Sequence, residues 1–578
     1  MKAITTYKNR QSEFLKAIDS HDAIYFDLFD VLLGVKILDE CDVVTLSEFK
    51  AKKKGIDIAR FWEFRKSYVL QENNIREIYN NIKEVLPLSN EIGEQLYQIE
   101  LKCWEQLIFE RTDIIKCLEY AVCNRKEVFI VNNSFFEKSF VIKLFKKFDI
   151  LNQENKLISQ DNKQLLQNSD VSKRLYVISK EKTQYFNGDV FKIKSPQDLL
   201  MESSYSVVAG MANNINERLM VARLAAKIFA SPFAAYGDDK RPTVNTIEDF
   251  TYLFIAPFVS GFMVWLLKQV TENHFDKLLL SARDGYIIQM LYKDAVCYFK
   301  LKNVPEDIYF QISRTLCVAA TVFSEEDIAN YSAVRYALGP EEMLHRRFGL
   351  ASEDIIPYDK TQFKDIINYA LAHKDKILVR STEIRNNYCR YMDSLGISDN
   401  GKYAFFDFVS SGTCQLLLDK IKKLDLEGIY ACRYFPFQGI TNYTSAEEKH
   451  SLPISAYVIN QSTTEKESCF FADYNFLETV FTSPYPSVSS MNADGPVFDL
   501  EQRTDEDLLN VKKSHVAIRQ YFNEFIDSYV EGESISFSLI DKIFSLKDSE
   551  YTDEQCSYLN ECELIEDFGQ GRIKLRRK

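Results

Sequence analysis

Short apolar runs, each ending in a polar turn and followed by a helical segment, constrain the fold of this chain more than any other feature. These runs are AIYFD at 23–27, KEVFIV at 126–131, RLYVI at 174–178, LLLS at 278–281, IYF at 308–310 and YAFFDF at 403–408. Between several of them, apolar residues recur with the i, i+3, i+4 spacing of amphipathic helices. This alternation predicts α/β domains with parallel sheets, in which ligands bind beyond the carboxyl ends of the strands.

The order of the segments predicts two α/β domains within the 578 residues. One strand comes first, a long helical stretch follows, and strand–helix–strand then resumes. We therefore expect an N-terminal domain at 1–205 with a helical cap inserted at about 40–120. The three later strand-like runs, with added helices, predict a second α/β domain at 206–578.

Composition and charge narrow the functional class. The net charge of −13 disfavours general nucleic-acid binding, because neutralising phosphates needs an excess of Lys and Arg. Twelve cysteines occur without a CxxC pair, so neither a zinc nor a redox motif is indicated. Their apolar neighbours predict buried, reduced thiols at Cys117, Cys297 and Cys317, and hence a cytoplasmic protein. The N-terminus lacks the apolar stretch of a signal peptide.

Two segments bear on membrane association. The apolar run Tyr252–Leu267 is shorter than the roughly 20 residues of a spanning helix and contains Pro257, so it predicts a buried core helix. The basic tail RIKLRRK at 572–578 fits either a solvated terminus or loose attraction to an anionic membrane surface. At most a peripheral association with the membrane is expected.

The first candidate site is the end of the run AIYFDLFDVLL, where Asp27 is followed three residues later by Asp30. YFDLFDVLL resembles motif I of the haloacid-dehalogenase-like (HAD) superfamily, in the variant found in proteins of bacterial surface-polysaccharide clusters. The resemblance implies a Rossmannoid domain with a helical cap, in which Asp27 is the phosphate-attacking nucleophile and a Mg²⁺ ligand. The family phosphatases carry an acid/base Asp where this chain has Phe29, which leaves Asp30 or a water for that role.

The remaining HAD motifs are matched only in part. The resemblance implies phosphate contacts from Asn132, Asn133 and Ser134 in VFIVNNSFF, and from Lys182 in VISKEKTQYF. The acidic pair of the last motif has only SPQDLL at 195–200 and YGDDKRP at 236–242 as candidates, neither after a clear strand. Since a hard cation at an oxygen site needs more than one carboxylate, the domain is either an active phosphatase or a degenerate one kept for packing, binding or positioning.

The second candidate site lies in FFDFVSSGTCQLLLDKI, at 405–421. Two aromatic residues close a strand, Asp407 follows, and a helix is expected from Gln415. Between them lies a loop of small residues: Ser410, Ser411, Gly412, Thr413 and Cys414. Such a loop at a helix N-terminus presents N–H groups and hydroxyls to an anion. An ordinary N-capped connection is the alternative interpretation.

This stretch is similar to the loop that binds phosphoribosyl diphosphate (PRPP) in type I phosphoribosyltransferases. On that resemblance Asp407 holds the ribose hydroxyls and the small-residue loop holds the 5-phosphate, although Phe406 replaces one of the two usual acids. LLLSARDGYIIQMLY resembles the first core strand with its pyrophosphate loop, so that Arg283 and the backbone around Asp284 and Gly285 face the diphosphate. Arg314 in IYFQISRT would be a second cation. For either Arg taken alone, a surface ion pair is the alternative.

A HAD-like domain joined to a phosphoribosyltransferase-like domain resembles enzymes that make ribofuranose units of bacterial capsules and O antigens. The resemblance implies Mg²⁺-dependent transfer of 5-phosphoribosyl from PRPP to a saccharide acceptor, free or lipid-linked, in the cytoplasm or at the inner face of the membrane. The HAD-like domain would then remove the 5-phosphate. Asp284 is the candidate general base. The alternatives are a HAD-type sugar-phosphate phosphatase with a C-terminal binding module, and a non-catalytic scaffold.

Overall fold

The protein folds into two compact units. The computed structural model describes residues 2–68, 74–150, 156–158, 173–180, 188–233, 244, 246–334, 336–434, 440–441, 444–460, 468–469, 474–547, 563–566 and 571–574. The first unit comprises Met1–Asn245 and Asp527–Thr552, and the second comprises Thr246–Ile526 and Asp553–Lys578. Each contains a five-stranded parallel sheet with helices between its strands, so the predicted α/β class is confirmed.

The sheet of the first unit is built around its first strand. The strands are β1 Ala23–Asp27, β2 Leu33–Val35, β3 Ile108–Glu110, β4 Glu127–Val131, β5 Leu157–Ile158, β6 Arg174–Ile178 and β7 Asp189–Lys192. Five of them form a sheet in the order β5-β4-β1-β6-β7, with every pair parallel. Tyr25 stacks between Phe129 and Tyr176, with centroid distances of 4.7 Å to each ring. The chain moves outward from β1 on one side and returns on the other, so the topological switch point lies between β1 and β6.

A group of helices interrupts this sheet after β1, as the sequence predicted. The helices of this part of the chain are α1 Lys2–Asp19, α2 Glu40–Lys53, α3 Ala59–Ser67, α4 Ile75–Val85, α5 Asn90–Leu107, α6 Thr112–Cys123, α7 Lys138–Lys147, α8 Pro196–Glu202, α9 Ser206–Met211 and α10 Ile215–Ile228. The antiparallel pair β2–β3 brackets α2–α5. The insert therefore ends near Leu107, and α6 leads into β4, whereas the predicted cap extended to about 120.

The division between the units also differs from the predicted boundary after residue 205. Ile215 and Leu219 of α10 are buried in the core of the first unit, so the chain stays in that unit through Asn245. The side chain of Asn216 donates to the carbonyl oxygen of Val530 and accepts from its N–H, both at 2.8 Å. These bonds show why residues near Val530 belong to the first unit. The return of the chain to this unit after some 300 residues cannot be predicted from the spacing of apolar residues.

The second unit contains a parallel sheet of its own. Its strands are β8 Lys277–Ser281, β9 Glu306–Phe310, β10 Lys402–Ser410, β11 Asp425–Tyr434, β12 Ile440–Thr441, β13 Thr444–Ser445, β14 Ile454–Asn460, β15 Val488–Asn492, β16 Gly495–Phe498, β17 Glu563–Glu566 and β18 Gly571–Lys574. Its helices are α11 Ile247–Phe250, α12 Ala256–Glu272, α13 Gly285–Phe299, α14 Arg314–Ala320, α15 Glu325–Ser332, α16 Pro340–Phe348, α17 Ile366–Leu371, α18 Lys374–Ser394, α19 Thr413–Ile421, α20 Ala446–His450, α21 Tyr474–Phe481 and α22 Asp505–Asp527. A further helix, Phe537–Ser545, belongs to the first unit.

The strand order of this second sheet, β14-β11-β10-β8-β9, creates a crevice between β8 and β10. All four neighbouring pairs are parallel. In chain order this is 2-1-3-4-5, a doubly wound arrangement whose switch point lies between the first and third strands. β10 pairs with β8 only from Tyr403 to Phe406 but continues along β11 to Ser410. Beyond Phe406, β8 and β10 therefore separate at their carboxyl ends.

Two smaller predictions can be compared with the structure. The predicted core helix is part of the helical stretch Ile247–Glu272, which is long and apolar enough to cross a membrane but has 89% of its apolar window buried inside the protein. Cys117 and Cys317 are buried as predicted, whereas Cys297 is exposed, because it lies on the outer side of α13. Of the basic tail, only the residues in β18 are described.

Candidate functional site at the carboxyl ends of β8, β9 and β10

A pocket of about 160 Å³ lies at the switch point of the second sheet. Three chain segments that follow β8, β9 and β10 converge on it. The lining residues are Ser281, Ala282, Arg283, Asp284, Ile312, Ser313, Arg314, Thr315, Asp407, Val409, Ser410, Ser411, Thr413, Cys414, Tyr434 and Glu478. Most of the binding residues that the sequence predicted for this half of the chain are therefore together on one surface, although up to 131 residues separate them along the chain.

The turn after β8 is held in a strained conformation. Arg283 has a φ of 74°, in the left-handed region that non-glycine residues seldom adopt. Its N–H donates to the hydroxyl of Tyr309 at 2.9 Å, which ties the turn to β9. A Cβ on Gly285 would lie 2.8 Å from the backbone carbon of Leu280, so only glycine permits α13 to start this close to the strand. α13 begins without a side-chain cap, directly after the pocket-lining residues Arg283 and Asp284.

The turn after β10 is shorter than the predicted loop. Ser410 is still in the strand, paired with Arg433, and α19 already begins at Thr413 rather than at Gln415. The long partner β11 extends the strand, which the small side chains did not indicate. Gly412 has a φ of 98°, and a Cβ there would lie 2.7 Å from Cδ1 of Leu452. It also precedes α19, which has no side-chain cap.

Asp407 is the carboxylate at the floor of the pocket. Burial raises the pKa of its carboxyl above the usual range, opposed by a hydrogen bond from Ser410, another from the N–H of Phe408, and the charge of Arg314. The Phe408 N–H donates to Oδ1 of Asp407 at 2.9 Å. Its charge therefore depends on its surroundings in the pocket, since burial disfavours the ionised form and Arg314 favours it.

The segment after β9 delivers Arg314 to the same pocket. The Oγ of Ser313 accepts from the N–H of Leu316 at 3.0 Å and donates to the carbonyl of Val488 at 2.5 Å. These two bonds fix the start of α14, whose first residue is Arg314. The adjacent Cys414 thiol hydrogen-bonds that of Cys317, and this bond together with burial raises the pKa of Cys317 well above its usual value.

Several lining residues were missed by the sequence analysis. Glu478, on α21, adds a third carboxylate to those of Asp284 and Asp407. Ser281, the last residue of β8, has a buried Oγ, and within the described part of the chain this atom has no hydrogen-bond partner. An unpaired buried hydroxyl in a pocket is a position at which a ligand can supply the missing bond. A polar residue directly after an apolar strand was the one available signal for Ser281; Glu478 lay in an ordinary helical pattern.

The carboxyl end of β1, in the first unit, holds the other predicted site. Asp27 ends the strand and is 8% exposed. Asp30 adopts a left-handed φ of 67° and lies 3.6 Å from the ammonium of Lys180. Burial raises the pKa of the Asp30 carboxyl, although Lys180 and Arg111 act against the shift. The predicted Lys182 lies outside the described residues, so Lys180 is the lysine that the structure brings to this site.

The three predicted phosphate-binding residues of this site bond to the protein itself. The side chain of Asn133 accepts from the Phe29 N–H at 2.9 Å and donates to the Phe29 carbonyl at 3.1 Å. Asn132 donates to the carbonyl of Phe136 at 2.9 Å and accepts from the hydroxyl of Ser134 at 2.6 Å. In this conformation these side chains stabilise the two turns that follow β1 and β4.

The end of β1 does not form a metal site in the described residues, where no group of three or more His, Cys, Asp or Glu side chains could hold an ion. The resemblance makes the Phe29 carbonyl a Mg²⁺ ligand, but this oxygen accepts from Asn133. SPQDLL does follow a strand, β7, contrary to expectation, yet Asp198 accepts from both the hydroxyl and the N–H of Ser195 at the start of α8. The described residues therefore do not fit Mg²⁺ as arranged, and the other acidic candidate, YGDDKRP at 236–242, lies outside them.

Comparison with known proteins adds no family to this description. No protein-family model matches the chain, and no curated protein matches it. The functional conclusion therefore depends on the residues at the two strand ends and on the chemistry that each set can perform.

Proposed function

We propose that the second unit binds PRPP in the pocket between β8 and β10 and transfers its 5-phosphoribosyl group to a saccharide hydroxyl. The observation that carries the proposal is the convergence of the turn at Arg283, the start of α14 at Arg314 and the turn at Gly412 on one pocket. The sequence analysis had assigned these three segments to one binding scheme, through their common resemblance to type I phosphoribosyltransferases. Their position at a topological switch point is where doubly wound sheets bind ligands.

The polar groups of the pocket suit a ligand with two phosphorylated ends. Arg283 and Arg314 supply guanidinium groups, whose planar forks match phosphate oxygens. The uncapped N-termini of α13 and α19 supply N–H groups and the positive ends of two helix dipoles. The unpaired Oγ of Ser281 supports a bound ligand independently of these helix ends, since a phosphate oxygen would accept its proton.

The transfer step breaks the bond between C1 of the ribose and the diphosphate and forms a bond between C1 and the acceptor oxygen. Both bonding electrons leave with pyrophosphate, so cations at the diphosphate lower the barrier. The acceptor hydroxyl loses its proton to a carboxylate, and Asp284 and Glu478 are the candidates. Asp407 would instead hold ribose hydroxyls, the role that the resemblance gives it.

The proposal includes Mg²⁺ bound through the diphosphate. Magnesium commonly binds to one or two protein carboxylates together with substrate phosphates. With Asp284 as the general base, Glu478 is the pocket carboxylate that would hold the metal. The metal would neutralise charge on the leaving group. Acceptors are saccharides of bacterial surface polysaccharides, and the reaction would occur in the cytoplasm or at the inner face of the membrane.

For the first unit we propose a HAD-like domain in which Asp27 would be the nucleophile if the 5-phosphate is removed there. The predicted phosphate-binding side chains at the end of β1 bond to the protein's own backbone. This favours the alternative of a degenerate domain that is kept for packing, binding or positioning and does not hydrolyse phosphate. A sugar-phosphate phosphatase with a C-terminal binding module is the rival function for the whole chain.

The test is pyrophosphate release by the full chain with PRPP, Mg²⁺ and a panel of saccharide acceptors, together with a thermal-shift measurement with PRPP. We expect release and a PRPP-induced rise in Tm in the wild type. Asp407→Asn should lose transfer, and Asp27→Asn should retain it. Loss of the 5-phosphate from the wild-type product but not from the Asp27→Asn product would show that the first unit is an active phosphatase. No release together with no shift would overturn the proposal.

The two carboxylate variants also separate the rival functions. A phosphatase predicts that Asp27→Asn abolishes phosphate release from sugar phosphates and that Asp407→Asn does not. A scaffold predicts that neither carboxylate affects any reaction and that no phosphorylated ligand binds.

A further inference from the structure

Lys449, on α20, is a fully buried lysine that the proposed reaction has not used. Its side chain is 0% exposed, which is rare for lysine because burial of an ammonium is unfavourable. Burial and the positive charge of Arg314 together lower its pKa to about 8, while Cys414 acts in the opposite direction. Two of the three influences on this ammonium thus disfavour its charge.

The surroundings of Lys449 connect it with the turn at Gly412. Its backbone carbonyl accepts from Nη2 of Arg433 at 3.0 Å, which fixes α20 against β11. Leu452, shortly after α20, packs against Gly412. Lys449 is not among the pocket-lining residues, but its neighbours Arg314 and Cys414 are. α20 therefore lies beside the start of α19, and the ammonium that it carries is near enough to Arg314 and Cys414 for their charges to act on it.

The interaction of the Lys449 ammonium with its surroundings becomes more favourable when an anion binds nearby. In the ligand-free protein, Lys449 and Arg314 repel each other across a partly desolvated space, where charges interact more strongly than in water. A phosphate at the start of α19 would attract both. A lysine that only packs its aliphatic stem would instead be indifferent to the ligand.

We propose that Lys449 is the buried counter-charge for a phosphate group bound at the start of α19. The inference rests on the proposed function and extends it, because it adds to the phosphate site a cation that does not line the pocket. Lys449 is therefore a positioning residue that does not touch the reacting atoms.

The proposal has a defined dependence on pH. Below pH 8 Lys449 is already charged and phosphate binds without proton uptake. A bound phosphate raises the pKa of the ammonium, so above pH 8 binding takes up a proton. The affinity then falls by up to about tenfold per pH unit until the bound-state pKa is reached.

Other charged groups of the described residues lie near Lys449 and bear on this pH dependence. Arg314 and Arg433 keep their charge throughout this range. On the same helix, Glu448 is paired with Lys420 at 3.4 Å. Cys414 also acts on the ammonium of Lys449, so a Cys414→Ser variant is needed to remove its contribution.

The experiment is calorimetric titration of the full chain with ribose 5-phosphate and with PRPP between pH 7 and 9.5. The phosphate of ribose 5-phosphate has a second pKa of about 6 and is therefore mainly dianionic throughout this range.

Lys449→Met should weaken binding at pH 7 by about tenfold. Lys449→Arg should bind as the wild type does at pH 7 and lose the fall above pH 8, while Cys414→Ser keeps that fall. Lys423→Met is the matched control, since Lys423 is 85% exposed and pairs with Asp419.

The outcomes distinguish this inference from the proposed function. Binding of both ligands with unchanged affinity in Lys449→Met, or a fall above pH 8 that disappears in Cys414→Ser, overturns the role of Lys449 and leaves PRPP binding intact. Binding of ribose 5-phosphate that depends on Lys449, without binding of PRPP, supports the phosphate site and overturns the transferase. Absence of binding by either ligand overturns both. If Lys449→Met fails to fold, the wild-type and Lys449→Arg pH profiles decide the question.

Discussion

The carboxyl ends of β1 and of β8 and β10 occupy the same topological position in two parallel sheets, but their polar groups have different partners. Beside the end of β1 the side chain of Asn133 bonds to the backbone of Phe29, and Asn132 and Ser134 bond within the neighbouring turn after β4. At the end of β8 the Oγ of Ser281 has no partner among the described residues, and two arginines line an open pocket. A topological switch point is therefore a place where a site can form. Whether the polar groups there bond to the protein or to a ligand depends on the residues of the loops.

The largest effect that tests this contrast is expected at Arg111, a buried cation of the first unit. Its guanidinium donates to the carbonyl oxygens of Ala230 and Lys194, each at 2.9 Å, and to that of Asp30. Arg111→Ala would leave these acceptors unpaired and should lower the free energy of unfolding by about 3 kcal/mol. Urea denaturation measures the change, with the exposed Arg60→Ala as control; equal midpoints for both variants would contradict a structural role.

Arg314 should behave in the opposite way, because it lines the pocket of the second unit. Arg314→Ala is expected to weaken PRPP binding by about tenfold to a hundredfold, the range for a charge-assisted hydrogen bond, with little change in the unfolding midpoint. Calorimetry and urea denaturation measure the two quantities. Arg519→Ala is the control, since Arg519 is half exposed and pairs with Asp294 at 2.6 Å. A large loss of stability in Arg314→Ala without loss of affinity would show that Arg314, like Arg111, has a structural role, and would contradict the contrast between the two units.

A smaller effect is expected where α13 approaches β8. In Gly285→Ala the new methyl group meets the backbone of Leu280 at 2.8 Å, and backbone cannot move aside as a side-chain end can. We expect a loss of about 1–3 kcal/mol in stability together with weaker ligand binding, because the start of α13 is displaced. Gly210→Ala in α9 is the matched control: no atom lies within 4 Å of its added methyl, and alanine favours the helix. Equal melting temperatures for the two variants would argue against the close approach.

The smallest effect concerns the pH dependence of Asp407. Because burial raises its pKa in the folded state, the folded protein binds this proton more tightly than the unfolded chain, and the stability contribution falls as pH rises from about 4 through the raised value. Asp407→Asn cannot ionise, so its Tm should exceed that of the wild type by about 2 °C at pH 7 and by less at pH 4. Scanning calorimetry at both pH values measures the difference. A lower Tm at pH 7 would show that the ionised carboxylate is stabilised by its neighbours instead.

The structure refines the prediction of the second site at particular residues. Arg283, Arg314 and Asp407 follow apolar runs, and the carboxyl ends of parallel strands meet at one edge, so their convergence could be anticipated. Glu478 and Lys449 could not be anticipated in this way, because each lies in a helical segment whose pattern carries no sign of the pocket. The end of the turn was also misjudged: β11 extends β10 to Ser410, and pairing with a partner strand leaves no local signal.

The sequence by itself determined the alternation of strands and helices, the insertion after β1, and the position of polar residues at strand ends. These are local properties, because apolar runs, helical periodicity and turn residues act over a few neighbouring positions. Only the tertiary structure decided the strand order that opens the crevice at Phe406, the return of residues near Val530 to the first unit, and the pairing of Asn133 with Phe29. Each of these depends on contacts across a hundred residues or more, where burial and hydrogen-bond geometry, rather than local preference, select the partner.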